Sequence, residues 1–139
     1  MASLEAVNIS IEHVAIPADN PLALRDWYLR VLDAREVWNN GQNPPACLIT
    51  LPDGGWFEIY AAESTLAERG NNELAGFRHV ALRVDSIDTA RAELERRGVT
   101  FTKEIRPAAG GGRVLFFEDL EGNLLHLVER PADSPLGKV

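Results

Sequence analysis

The chain has 139 residues, about the size of one domain, and its formal net charge of −7 goes with a pI of ≈ 4.9. This acidic balance argues against nucleic acid or an anionic membrane as a partner, although a few arginines could still hold a small anion. No apolar run approaches the roughly 18 residues of a membrane span. The N-terminus lacks the features of a secretory signal, and Cys47 is the one cysteine, so we expect a reducing, cytoplasmic setting.

The first half of the chain is predicted to form a strand, a helix and three further strands. Alternation of apolar residues predicts a strand from Ile9 to Ile16, with Val14 and Ile16 in the core. Asn20 followed by Pro21 is typical of a helix start, and apolar residues beginning at Leu22 keep a helical spacing up to Asp33. Further strands are predicted at Ala34–Trp38, Ala46–Leu51 and Trp56–Ala61, the last two joined by a hairpin turn.

The second half repeats this order after a polar linker at about 62–76. A strand is predicted at Phe77–Val84, and a capped helix from about Asp88 to Arg97 ends at Gly98. Strands follow at Val99–Ile105, Arg113–Glu118 and Leu124–Glu129, and 131–139 form a tail. We therefore predict a single α+β domain over 1–139. Two βαβββ modules, at about 9–61 and 77–130, would form a cupped mixed sheet.

An internal repeat relates the two modules. The tetrapeptide beginning at His13 nearly recurs 66 residues later at His79, and the segment ending at Glu58 aligns with the one ending at His126, 68 residues later. These two patterns contain all 3 histidines of the chain. Strand alternation puts the four side chains opposite their apolar neighbours, so we expect them to project from the sheet face away from the helices.

Each of these residues also has a plainer explanation when it is taken alone. A histidine in an apolar strand is more often a hydrogen-bonded core or surface residue, and Glu58 could simply face solvent. Four independent coincidences at matched positions are harder to accept, so the joint pattern favours a metal site. Imidazoles with one carboxylate suit Zn, Fe, Ni or Co, whereas Mg or Ca would require mostly oxygen ligands.

The paired His-Val-Ala strands, the Phe-Glu-Ile strand around Glu58 and the Asp-Leu-Glu-Gly-Asn stretch from Asp119 resemble the vicinal oxygen chelate superfamily. That group includes glyoxalase I, methylmalonyl-CoA epimerase, extradiol dioxygenases and bleomycin resistance proteins. The resemblance covers about Ile9 to Arg130 and implies paired βαβββ modules that close around a divalent metal, often in a homodimer. By position, the implied ligands are His13, Glu58, His79 and His126.

The last ligand departs from the family pattern, because the enzymes among those relatives usually carry glutamate where this chain has His126. This departure argues against a glyoxalase I or methylmalonyl-CoA epimerase. The resemblance instead suggests a zinc-dependent epimerase or isomerase, with Fe, Ni, Co or Mn as other metals. Its small oxygenated substrate would be a hydroxy-ketone, for example a cyclitol ketone such as 2-epi-5-epi-valiolone.

In such a reaction a base removes the proton next to the metal-chelated carbonyl. Glu58 is the first candidate for that base and His126 the second. By alternation Trp56, Tyr60 and Arg83 share the ligand face, so they are candidate walls of the substrate pocket, although they could equally pack or face solvent.

Two other functions remain open from the sequence. One is an iron-dependent dioxygenase of the same superfamily, and the other is a non-catalytic drug-binding resistance protein. The sequence also leaves open whether the site forms within one chain or across a homodimer.

Overall fold

Each half of the sequence folds into one strand, one helix and three further strands. The computed structural model describes residues 7–65 and 68–136. The elements in chain order are β1 (His13–Ala18), α1 (Pro21–Val31), β2 (Arg35–Asn39), β3 (Cys47–Thr50), β4 (Trp56–Ala61), β5 (His79–Arg83), α2 (Ile87–Arg96), β6 (Arg106–Pro107), β7 (Arg113–Glu118) and β8 (Leu124–Glu129).

The strands form two four-stranded mixed sheets, one in each module. The strand orders are β1-β4-β3-β2 and β5-β8-β7-β6, and the first strand of each module pairs in parallel with the last. The predicted α+β fold of two βαβββ modules is therefore confirmed. Because β1 and β5 stand at the ends of these orders, each module has its first strand at a sheet edge.

One face of each sheet packs against the helices. Phe57 and Ile59 of β4, and Leu125 and Leu127 of β8, are buried on that face, as alternation predicts. They join residues of α1 and α2 in one hydrophobic cluster that spans both modules. Burial of this apolar surface is the main stabilising contribution to the fold, at roughly 25 cal/mol per Å². In the described part of the chain, neither helix is long and apolar enough to cross a membrane.

Helix α1 begins at the capping residue that the sequence indicated, and α2 begins at Ile87, one residue before the predicted start. The Asn20 side chain accepts a hydrogen bond from the Ala23 amide at 3.1 Å, and Pro21 occupies the first turn, where its missing N–H costs nothing. Ser86 caps α2 in the same way through the Thr89 amide. After α2, Gly98 has a φ of +95°, which glycine adopts without strain.

Two predicted strands differ from the structure. Strand β1 begins at His13 rather than Ile9, and Ile9 and Ile11 before it are 81% and 89% exposed, so their alternation has no paired neighbour. The prediction of a strand over Val99–Ile105 was wrong, because β6 contains only Arg106 and Pro107. Val99 and the aromatic ring of Phe101 nevertheless pack on the core, which produces an alternating pattern without a ladder of backbone hydrogen bonds.

Two residues expected on apolar faces, Leu22 and Val14, are exposed, and so is Phe77, which the sequence puts at the start of a strand. Leu22 is 46% exposed because the buried face of α1 runs through Leu24, Tyr28 and Val31. Val14 is 40% exposed, since β1 is an edge strand, and Phe77 lies outside β5 and is fully exposed.

Hydrogen bonds from α1 fasten the first module to the second. The buried Tyr28 hydroxyl donates to Asp119 at 2.7 Å, and burial raises the pKa of this tyrosine, so the hydroxyl stays a donor. The backbone amides of Asp19 and Asn20 donate to the two Glu121 carboxylate oxygens at 2.7 and 2.8 Å. A carboxylate is well placed there, because the first turn of a helix presents free N–H groups and positive dipole charge.

The tail folds back onto the turn between β6 and β7. The Ser134 hydroxyl donates to the Gly110 carbonyl at 2.6 Å, and Arg130 donates to the carbonyls of Ala109 and Gly111. The described part of the tail, up to Leu136, therefore packs on its own second module.

Gly112 in this turn should tolerate no side chain. Its φ is +103°, and an added Cβ would overlap the carbonyl oxygen of Glu129. We expect Gly112→Ala to lower the free energy of unfolding by about 3 kcal/mol or more. Gly111→Ala is the matched control, since its φ is +94° but the nearest atom would be 3.7 Å away, so we expect a loss of about 1–2 kcal/mol. Urea unfolding of both variants measures the difference, and equal losses would contradict the clash.

Candidate metal centre

His13 and Glu58 form the first pair of candidate ligands. They lie on the neighbouring parallel strands β1 and β4, where His13 pairs with Trp56 and Ala15 pairs with Glu58. The Nε2 atom of His13 is 3.8 Å from Oε1 of Glu58, and each side chain is 35% exposed. Both donor groups therefore face solvent on the sheet surface opposite the helices.

His79 and His126 form the second pair, at the same register positions of the second module. His79 pairs with Leu124 and Ala81 pairs with His126. The two imidazole rings have centroids 4.7 Å apart, and Phe116 packs against both of them at 5.4 and 4.8 Å. His126 is buried, and this burial lowers its pKa, which the hydrogen bond to the Leu127 carbonyl only partly opposes. Burial thus favours neutral imidazole, the form that binds a metal.

Each of the three histidines uses Nδ1 to contact an oxygen acceptor. The acceptors are the Glu12 carboxylate at 2.9 Å, the Asn72 side-chain oxygen at 2.7 Å and the Leu127 carbonyl at 3.1 Å. Because these oxygens only accept, Nδ1 donates in each contact, which leaves Nε2 as the ring nitrogen that can bind a metal. Metal-binding histidines are usually held by such a second hydrogen bond. The donor set therefore fits a divalent transition metal.

The four predicted ligands are grouped as two pairs. Among the described residues, no three His, Cys, Asp or Glu side chains lie close enough to hold one metal ion. A cavity of ≈ 390 Å³ is lined by residues of both β1 and β5, and His79 borders it, whereas His13, Glu58 and His126 do not. We call the pair His13 and Glu58, and the pair His79 and His126, half-sites.

The three predicted pocket residues lie beside these half-sites. Trp56 and Tyr60 flank Glu58 two positions away on β4, and Trp56 is 38% exposed. Arg83 shares the sheet face of His79 and donates to the Leu136 carbonyl at 2.7 Å. Its role in binding substrate stays a prediction.

Two residues that hold the ligands could not be assigned this role from the sequence. The Glu12 carboxylate contacts Nδ1 of its chain neighbour His13, whereas strand alternation puts neighbouring side chains on opposite faces and so gives no sign of this contact. Asn72 lies in the linker, seven residues before its partner, where no periodic pattern applies. Only the three-dimensional contact identifies it.

Comparison with known proteins agrees with the fold. The family model described as Glyoxalase/Bleomycin resistance protein/Dioxygenase superfamily matches residues 10–127. Among curated proteins, Biphenyl-2,3-diol 1,2-dioxygenase 2 of Rhodococcus globerulus is 29% identical over 119 residues, which are 83% of this chain. The chain spans 60% of the length of that relative.

Solved structures share the arrangement of both modules. A glyoxalase family protein from Enterococcus faecalis has a TM-score of 0.73 and 27% identity, with 86% of this chain and 97% of that chain covered. The fosfomycin resistance protein FosX from Listeria monocytogenes, in a mutant form complexed with Mn(II) and 1S,2S-dihydroxypropylphosphonic acid, has a TM-score of 0.67 and 18% identity. That match covers 90% of this chain and 93% of the other. By the match over residues 10–127, this chain belongs to the Glyoxalase/Bleomycin resistance protein/Dioxygenase superfamily, the vicinal oxygen chelate proteins.

Proposed function

We propose that this protein is a metal-dependent epimerase or isomerase that moves a proton at the carbon next to a ketone of a small hydroxy-ketone. The observation that carries the proposal is the duplicated register of the two half-sites. In each module a histidine of the first strand stands beside a second donor on the last strand. Each histidine has Nδ1 held by an oxygen, so that Nε2 is presented on the face away from the helices.

We further propose that a homodimer joins the half-sites, so that His13 and Glu58 of one chain share a metal with His79 and His126 of a second copy. The separation of the two pairs within the described chain supports this arrangement. The first strands of both modules are sheet edges, which offer unpaired backbone groups to another chain. Exposed apolar side chains at Ile9, Ile11 and Phe77 lie next to these edges.

A bound divalent metal, zinc first and Fe, Ni, Co or Mn as alternatives, would act as a Lewis acid towards the substrate carbonyl. Glu58 is the proposed base, because its carboxylate is partly exposed and its contact with His13 is a loose 3.8 Å. His126 is less suited, since it is buried and its Nδ1 is engaged by the Leu127 carbonyl. Trp56 and Tyr60 would form the wall beside Glu58, and a cyclitol ketone of the 2-epi-5-epi-valiolone type is the candidate substrate.

The test combines metal analysis with solvent-deuterium exchange into trial hydroxy-ketones, including cyclitol ketones. We expect one metal per pair of half-sites, exchange of the proton next to the carbonyl and no oxygen uptake. Glu58→Gln should keep the amide oxygen as a weak ligand yet lose exchange. Retained metal without exchange in any trial ketone would contradict the proposal, and absence of metal after careful purification would favour a non-catalytic drug binder.

A second candidate function is an iron-dependent dioxygenase, which the 29% identity to the Rhodococcus globerulus dioxygenase supports. Two histidines and one carboxylate are enough for a non-haem iron site with open positions. Iron in the purified protein, with oxygen uptake on addition of a catechol, would favour this function over epimerisation.

Asn72 provides a test of the metal site that does not depend on the substrate. Asn72→Ala removes the oxygen that holds His79 Nδ1, so we expect metal affinity to fall about 10–100-fold. Asn71→Ala is the matched control, because the Asn71 side chain bonds, among the described residues, to nearby Glu68 and Glu73 and not to a candidate ligand. Competition with a chromophoric chelator measures both affinities. Equal affinities for the two variants would contradict a role for Asn72 in holding the ligand.

A further inference from the structure

A row of four paired residues crosses the second sheet, and both of its ends are arginines. Arg83 on β5 pairs with Val128, Val128 with Val114, and Val114 with Arg106 on β6. Directly paired residues project from the same face of a sheet, and so do residues two apart on one strand. The row therefore lies on the face of His126, one step along the strand from the second half-site.

Arg106 leans from the end of this row towards the half-site. Its guanidinium carbon lies 6.0 Å from the centroid of the Phe116 ring. The same ring packs against the imidazoles of His79 and His126. A guanidinium over an aromatic face is held electrostatically and keeps its N–H groups directed outward. Arg106 is thus one aromatic ring away from both imidazoles.

Within the described part of the chain no carboxylate engages Arg106, as is also true of Arg30, Arg35 and Arg130. What distinguishes Arg106 is its contact with the aromatic ring that packs on both imidazoles of the second half-site. The protein has 21 acidic and 14 basic residues, and the guanidinium groups of Arg25, Arg97 and Arg113 are each paired with carboxylates. Pro107 follows Arg106 and fixes the backbone there in an extended conformation, which limits its movement.

We propose that Arg106 binds an anionic oxygen group of the substrate, a carboxylate or a phosphate, while the hydroxy-ketone end of the same molecule faces the half-site of His79 and His126. Arg83, anchored to the Leu136 carbonyl at the other end of the row, adds positive charge to the same face. This inference rests on the proposed function and narrows its substrates to anionic hydroxy-ketones. The planar fork of arginine suits both carboxylate and phosphate, and the test below separates the two.

The decisive variant is Arg106→Gln, and Arg91→Gln is its matched control. Arg91 makes the same kind of contact, with its guanidinium carbon 5.6 Å from the Phe101 ring, but it lies on α2, on the other side of the sheet. Both substitutions remove one charge and one aromatic contact. Calorimetric titration of the full-length protein with 2-phosphoglycolate, glycolate and neutral hydroxyacetone measures binding without any turnover.

We expect Arg106→Gln to weaken the binding of one or both anions about 10–100-fold, the usual effect of losing a charged hydrogen-bonding group. Hydroxyacetone should bind all forms alike, and Arg91→Gln should bind the anions as the wild type does. A loss for phosphoglycolate alone identifies a phosphate group, whereas a loss for both anions identifies a carboxylate. Arg106→Lys should bind the anions more tightly than Arg106→Gln but less tightly than the wild type, because lysine restores the positive charge but not the paired N–H donors of the guanidinium.

Unchanged anion binding in Arg106→Gln, or an equal loss in Arg91→Gln, would overturn the inference. These outcomes are distinct from failure of the proposed function, which would appear as lack of metal or lack of deuterium exchange in the wild type. Exchange assays add a second measurement. If the titrations identify a phosphate group, Arg106→Gln should raise KM for dihydroxyacetone phosphate and leave kcat nearly unchanged, and with hydroxyacetone neither constant should change.

Discussion

Two inactive variants of this protein should regain activity when they are mixed. His13→Ala removes a ligand from the first half-site and His126→Ala removes one from the second. Each variant alone should lose at least about a hundredfold in exchange activity, because even the loss of a ligand's outer hydrogen-bond partner can cost that much. In a mixed dimer, however, one of the two shared sites receives its ligands entirely from unaltered modules.

Random exchange of subunits makes half of the dimers mixed, so the mixture should reach about a quarter of wild-type activity. Mixing His13→Ala with Glu58→Gln is the matched control. Both changes lie in the first module, every dimer then has two damaged sites, and no recovery is expected. If the first mixture also fails to recover after mass spectrometry has verified exchange, the site is formed within one chain.

Removal of the Asp119 carboxylate should destabilise the whole protein. This buried side chain accepts hydrogen bonds from the Tyr28 hydroxyl and from the backbone amides of Glu121 and Asn123. Asp119→Ala leaves these donors without their acceptor, and each buried unsatisfied group costs about 1–3 kcal/mol. We expect the free energy of unfolding to fall by about 3 kcal/mol and the melting temperature by about 10 °C.

Tyr28→Phe is the control for this prediction, since it removes only the hydroxyl and leaves Asp119 with its backbone donors. Its expected loss is about 1 kcal/mol. Calorimetry of the two variants and of the double variant would give the coupling energy between the two residues. A loss for Asp119→Ala no larger than that for Tyr28→Phe would contradict the central role of the carboxylate.

Much of the fold could be predicted from the sequence, because the strands that define it alternate clearly between turns. Strands β4, β7 and β8 have the predicted bounds. The prediction of a strand over Val99–Ile105 was wrong because apolar alternation has two possible causes. Alternating apolar side chains indicate that one side of a segment packs on the core, but they do not indicate whether a neighbouring strand is there to receive its hydrogen bonds.

The face on which each candidate ligand projects could also be predicted, since alternation fixes it within a strand. The separation of the ligands into half-sites could not, because no local pattern specifies how one module is positioned against the other. The same limit applies to Asp119. The sequence indicates a turn there, but its partner Tyr28 lies 91 residues away, and only the folded chain brings them together.

The two modules differ in one contact between them, which is the Glu121 carboxylate at the start of α1. Each helix has its own N-cap side chain, Asn20 for α1 and Ser86 for α2, but α1 also receives a carboxylate from the other module, because Glu121 accepts from the two backbone amides just before the helix. Asp53, the repeat counterpart of Glu121, has no comparable bond to α2 among the described contacts. The first module expressed alone would therefore begin its helix without this carboxylate, whereas the second module expressed alone would keep the cap of α2.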